Sequence, residues 1–182
     1  MLGIALAMTS CSSDSSADHA HDSRREKPTK SVTPTSPRAK TDTPQAREKK
    51  AVLTAYKHMW DEQVKAYAKA DTKGTGLKKY ATADAFARAQ SDVMGLKAKG
   101  IVATGEPEHN TTVISIDIDR QVPRAELRDC MDTTNWQYKY RKTGKAFPLP
   151  TKRIKKYVVT VKAEQWRKQW MILDVTPHKR AC

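Results

Sequence analysis

The chain has 182 residues and a mass of 20.5 kDa, room for one domain and a tail, which excludes a multidomain enzyme. Lys and Arg number 34 against 20 Asp and Glu, a formal charge of +14, so the surface must be basic. Hydrophobic residues make up 38%, the mean hydropathy is −0.74, and no apolar run approaches the roughly 18 residues of a membrane-spanning helix.

Residues 2–8 (LGIALAM) form a short apolar run followed by Thr9, Ser10 and Cys11. The run is too short to span a bilayer but fits the end of a signal-peptide apolar region. Small residues directly before a cysteine resemble the lipobox of bacterial lipoproteins, in which that cysteine is acylated and becomes the new N-terminus. The resemblance implies that residues 1–11 are a signal-peptide remnant, that Cys11 is the lipid site, and that translation starts upstream, since no Lys or Arg precedes the run. The bland alternative is a fortuitous apolar N-terminus with an ordinary cysteine. Two or more acyl chains give stable anchoring where one is marginal.

Residues 12–44 are a different material from the rest. No Leu, Ile, Met or aromatic residue occurs from Ser12 to Ala46, while all twelve Phe, Trp and Tyr lie from Tyr56 onward. Such a segment cannot bury enough apolar area to offset roughly 1–2 kcal/mol of backbone entropy per residue. A disordered linker is expected, extended by Pro28, Pro34, Pro37 and Pro44. With Cys11 lipidated, Cys130 and Cys182 remain, and an even remainder in an exported chain invites a disulfide closing a 52-residue loop. Two unpaired thiols are the alternative. No CxxC, HExxH or Cys/His cluster appears, so neither a zinc site nor a cofactor is expected.

Residues 45–182 carry the ordered domain. Thr43 and Pro44 read as a helix cap and first turn, after which Val52, Tyr56, Met59, Trp60, Val64 and Tyr67 recur at three and four residues, predicting a helix over 45–71. Thr82 and Asp84 open a second helix that carries Phe86, Val93 and Leu96 and closes at Gly100. Beyond it the period falls to two. Strands are predicted over 101–106, 111–119, 125–132, 136–141, 154–164 and 168–176. Three inward sets follow from strict alternation: Ile114, Ile116 and Ile118; Tyr157, Val159, Val161 and Ala163; and Met171, Leu173 and Val175. Helices first and antiparallel strands afterwards define an α+β class, with the helices covering one face of a curved sheet.

Two N-terminal helices before an antiparallel meander resemble the NTF2-like fold, a cone that encloses a pocket. Lys99-Gly100-Ile101-Val102, Gly105-Glu106-Pro107, Asp129-Cys130-Met131-Asp132 with Trp136, and Asp174-Val175-Thr176-Pro177 resemble a group of secreted actinobacterial lipoproteins with such a domain. The likeness implies export and fold, and it brings no reaction with it. Isomerases and cyclases of this fold use Asp, Tyr or His in the pocket, but no such set can be aligned here, so no catalytic residue is assigned.

Alternation puts Asp129 on the opposite face from Cys130 and Asp132, so the two aspartates are not an acid/base pair. Inside an apolar cone Asp129 could serve as a general base; capping a turn or meeting an arginine is the commoner fate. His58, His109 and His178 read as solvated, His109 within a turn. Tyr56, Trp60, Tyr80, Phe86, Trp136 and Tyr138 could line a cavity for a small apolar ligand, against a default of core packing. Lys139, Arg141, Lys142, Lys145, Lys152, Arg153, Lys155 and Lys156 form a basic hairpin with no acidic residue. On an exported protein that patch suits an anionic envelope polymer, lipid headgroups or an acidic partner, and in the cytoplasm nucleic acid; solvation alone also explains it. The sequence thus predicts a lipid-anchored extracytoplasmic binding module, with an isomerase- or hydrolase-type enzyme and a nucleic-acid binder as alternatives.

Overall fold

The computed structural model describes residues 43–182; Cys11, the expected signal-peptide remnant and the expected linker, apart from Thr43 and Pro44, lie outside the described residues. Helix α1 spans Pro44–Lys69. Its N-cap Thr43 is extended, the hydroxyl accepts the Ala46 N–H at 3.1 Å, and Pro44 occupies the first turn, where its missing N–H costs nothing. Val52, Tyr56, Met59, Trp60 and Tyr67 are buried as the spacing predicts. After a 3-10 turn, Leu77–Lys79, helix α2 spans Ala83–Ala98 and stops at Gly100, whose φ of +65° suits a residue without a β-carbon.

Six strands follow: β1 Ile101–Thr104, β2 Glu108–Asp117, β3 Arg124–Asp132, β4 Gln137–Tyr140, β5 Lys156–Trp166 and β6 Gln169–Ala181. Strands β2-β3-β5-β6 form one antiparallel sheet, and β1 pairs with β4 in a second, two-stranded one. The class is α+β, two helices packed on a curved antiparallel sheet. Among the described residues no helix is long and apolar enough to cross a membrane.

The ladders carry three register shifts, one of them between Tyr157 and Val159, and the other two break the predicted alternation. In β2 the register shifts between Val113 and Ser115, so Ile114 is an extra residue and is 52% exposed, while Val113 and Ile116 pack against the core. Ile114 therefore does not share a face with Ile116. In β6 the register slips between the partners of Lys162 and Ala163, leaving Leu173 unpaired. Trp170 and Ile172 are the buried residues before that bulge and Val175 packs inward after it, so Met171, Leu173 and Val175 are not one face. In β5 Val159, Val161 and Ala163 are buried and Tyr157 packs beside them, as predicted.

Gly105 turns the chain from β1 into β2 at φ +73°, and a β-carbon there would collide with the Asn135 carbonyl oxygen. The turn sets Glu106 and Pro107 at the mouth of the cleft described below.

Cys130 and Cys182 form a disulfide, with Cα atoms 5.9 Å apart and 52 residues between them in sequence. It ties the residue after β6 to β3 and pins an end that would fray. Reduction should lower the unfolding free energy by about 2–4 kcal/mol, the range for a loop of this size. Denaturant midpoints with and without reductant measure it; an unchanged midpoint would show that the bridge carries no stability.

Candidate functional site

Asp129 sits mid-strand in β3 between the inward-facing Leu127 and Met131, and it is fully buried. A carboxylate in that position must be supplied with donors or it would neutralise or unfold its surroundings. Three side chains supply them. Thr111, directly across the β2–β3 ladder, donates its hydroxyl to Oδ1 at 3.1 Å. His109, diagonal to it on the same face of β2, places Nδ1 2.6 Å from Oδ2, and Tyr56 of α1 donates its hydroxyl to the same oxygen at 3.1 Å. A carboxylate oxygen accepts, so Nδ1 carries the proton of this contact; in the neutral ring Nε2 is then the acceptor nitrogen.

His109 and Thr111 floor a cleft of about 430 Å³ between α1 and β2, walled by Leu53, Tyr56, Trp60, Val64 and Pro107, with Asp129 buried behind them. The Trp60 ring lies 4.9 Å from the His109 ring and Tyr56 meets it edge-on at 5.8 Å. His109's edge-strand backbone is open to solvent, but its side chain is only 22% exposed. Lys57 and Asp61 pair at the rim at 2.9 Å beside the exposed Glu106. Burial, then the charge of Asp129, pushes the Tyr56 hydroxyl well above its ordinary value, with the Trp60 indole acting the other way. The Nε1 donors of Trp60 and Trp136 are buried without a hydrogen-bond partner. Among the described residues no group of three or more His, Cys, Asp or Glu could hold a metal ion.

Of the six candidate aromatics, Tyr56 and Trp60 line this cleft. Trp136 is a core residue, stacked on Tyr67 at 5.3 Å and edge-on to Trp60 at 5.7 Å. Tyr138, tilted against Trp136, is half-buried, and burial pushes its hydroxyl up to about 12. Tyr80 faces His58 at 5.2 Å in another groove, and Phe86 lies under the Lys78 ammonium.

The basic stretch is a hairpin only in its first part: the chain turns at Thr143-Gly144 and Ala146 pairs antiparallel with Lys139, whereas β4 otherwise pairs with β1 and β5 with β3, so residues 148–155 cross between sheets. Arg141, Lys142 and Lys145 line a groove with Lys97 and Lys99 at the end of α2. Arg153 folds back and donates to the hydroxyl and carbonyl of Thr133. Lys139 lies in β4, while Lys152, Lys155 and Lys156 are exposed on the approach to β5 and at its start.

Asp132 accepts the Thr134 N–H at 2.8 Å, an ordinary turn cap. Asp174 accepts the Thr176 hydroxyl at 2.7 Å and faces Arg88 at 3.7 Å. His178 meets the Thr160 hydroxyl. His109 is therefore neither in a turn nor solvated, and sequence reasoning missed it for a specific reason. With Ile114, Ile116 and Ile118 inward, alternation would put His109 and Thr111 outside; the bulge at Ile114 reverses the phase and brings both in.

No protein-family model matches the chain, and no curated protein matches it. Among solved structures it is similar to the intermembrane space region of the chloroplast protein ARC6, with a TM-score of 0.45 and 9% identity, covering 74% of this chain and 97% of that one.

Two predictions follow from this geometry. In ¹⁵N-labelled protein His109 should be the Nδ1–H tautomer with a strongly deshielded Nδ1 proton, and Asp129→Ala should abolish that resonance; a signal that survives the substitution would contradict the contact. Because the folded Tyr56 hydroxyl titrates above the unfolded one, its neutral form supports the fold fully below about pH 10 and loses that support as the pH rises further. Stability should fall by about 1.4 kcal/mol per pH unit for this residue. Tyr56→Phe should remove its share of the alkaline slope in denaturation curves.

Proposed function

We propose that the chain is a lipid-anchored extracytoplasmic protein, tethered through Cys11 and the 12–44 spacer, whose NTF2-like domain binds a small, partly aromatic ligand in the α1/β2 cleft. The observation that carries the ligand site is the fully buried Asp129 holding the Nδ1 of His109 at 2.6 Å beneath an aromatic wall. A cleft of this size, mostly apolar with a few convergent polar groups, is what small-molecule sites look like. In the neutral ring His109 Nε2 offers an acceptor, and the indole and phenol rings offer a flat apolar surface.

A ligand-observed NMR screen of small aromatic alcohols and amides tests the cleft. Hits should compete with one another and vanish in Leu53→Trp, which fills the cavity; hits that persist in a folded Leu53→Trp protein would place binding elsewhere. Palmitate labelling of the full gene in its host tests the anchor, with the label lost in Cys11→Ala. An unlabelled cytosolic product would reject the placement.

The same dyad supports a second reading, an isomerase- or hydrolase-type enzyme. A histidine oriented through Nδ1 by a buried carboxylate is arranged to take a proton at Nε2. Turnover of an activated ester or a β,γ-unsaturated ketone that is lost in His109→Ala, with binding retained, would favour catalysis over binding alone.

A further inference from the structure

A second depression, of about 710 Å³, lies where the first half of α1, the 3-10 turn and the β5–β6 hairpin meet. Arg47 and Lys50 from α1, Lys78 and Lys79 from the turn and Lys168 from the hairpin tip line it together with His58, and no carboxylate does. Among the described residues none of the four lysines is ion-paired; Lys78 instead lies over the Phe86 ring.

The hairpin tip supplies an independent observation. Trp166 pairs with Gln169, so Arg167-Lys168 is a two-residue turn, and both residues have positive φ, 50° and 69°. Turns of this kind favour Asn-Gly because a β-carbon is disfavoured there. Here two long cationic side chains occupy it, and the strained backbone sets Lys168 at the edge of the groove. Strain of this sort is retained where it serves a site.

We propose that this groove binds a linear phosphodiester chain that carries no bases, of the poly(glycerol phosphate) kind. Four lysines drawn from three elements exceed what one phosphate can touch, and their ammonium groups suit successive phosphates as point charges. An open trough admits a strand along its length. The aromatic rings at the floor are already engaged: Trp170 is 2% exposed with its N–H on Glu48, and Tyr80 packs against His58. Trp166, beside the turn, is 44% exposed but does not line the trough, and its N–H is held by the Glu164 carboxylate, so no free ring for base stacking lies within the trough itself. The proposal is independent of the cleft ligand.

The test uses the full chain carrying Cys11→Ser, so that no acyl chain enters the vesicle arm, titrated with poly(glycerol phosphate), oligothymidylate and phosphatidylglycerol vesicles. Poly(glycerol phosphate) should bind most tightly, with a steep salt dependence. The triple variant Lys78→Gln/Lys79→Gln/Lys168→Gln should lose at least about tenfold in affinity and flatten the salt slope by about one for each phosphate contact removed. The charge-matched Lys142→Gln/Lys145→Gln/Lys152→Gln should bind within about twofold of the parent. Equal loss in both triples, no binding at low salt, or tighter binding to oligothymidylate or vesicles would overturn the proposal. Lys168→Gly guards against a folding artefact: it should raise the melting temperature and weaken binding, and retained affinity would count against the site.

Discussion

The buried carboxylate of Asp129 is the constraint on which the rest of this structure depends. Taking an ionised group out of water costs several kcal/mol, recovered only when its oxygens are fully supplied with donors. Asp129 obtains them from α1 and from β2, so neither element is free to rotate or slide without orphaning a buried charge. Hydrophobic contact alone would tolerate several rotations of α1 against the sheet, because any of its apolar residues can fill space. The Tyr56 hydroxyl selects one. The same bonds hold His109 in a single tautomer at the floor of the cleft, so the group that specifies the packing also makes the site.

What could be read in advance divides along a physical line. Local signals were legible: the Thr43-Pro44 cap, the glycine after α2, the helical spacing from Val52 to Tyr67, the inward face of β5 and the cysteine pair. Each is fixed by a few neighbouring residues or by counting. Strand phase was not legible where a bulge intervenes, because one inserted residue moves every later side chain to the opposite face. Ile114 and Leu173 are such residues, and both are apolar, so nothing in their chemistry distinguishes them from core positions. The consequence falls on the site: the sequence reads His109 as a solvated turn residue ahead of the strand, whereas Asp129 is placed on the opposite face from Cys130, as found. A hint existed in Val113, which alternation from the isoleucines would have left wet, and which restores the inward phase for Thr111 and His109.

Charge is distributed with the same economy. The chain carries +14 overall, yet the cleft has Asp61 and Glu106 at its rim, Lys57 committed to Asp61, and the buried Asp129 behind the His109 and Thr111 that line it. The cations gather elsewhere, in the trough between α1 and the β5–β6 hairpin and around the ends of both helices, where Lys69 and Lys97 complement the partial negative charge of the last turns. The run from Lys139 to Lys156 is one patch only up to Lys145, where the local hairpin holds it together; the crossover carries Lys152 to Lys156 to the other sheet, while residues over a hundred positions apart, Arg47 and Lys168, come to line one groove.

Helix α1 is the wall common to both depressions. Leu53, Tyr56, Trp60 and Val64 face the cleft at spacings of three and four, and Arg47, Lys50, Thr54 and His58 face the trough at the same spacings. At about 100° per residue these stripes fall on opposite flanks of the buried stripe through Val52, Ala55, Met59 and Ala66. An amphipathic helix ordinarily needs only its buried face specified; this one is specified on three. Any rotation that improved one flank would carry the other out of register with its partners across the groove. The hydrogen bond from Tyr56 to Asp129 fixes that rotation, so the aromatic cleft and the cationic trough depend on one buried oxygen atom for their alignment.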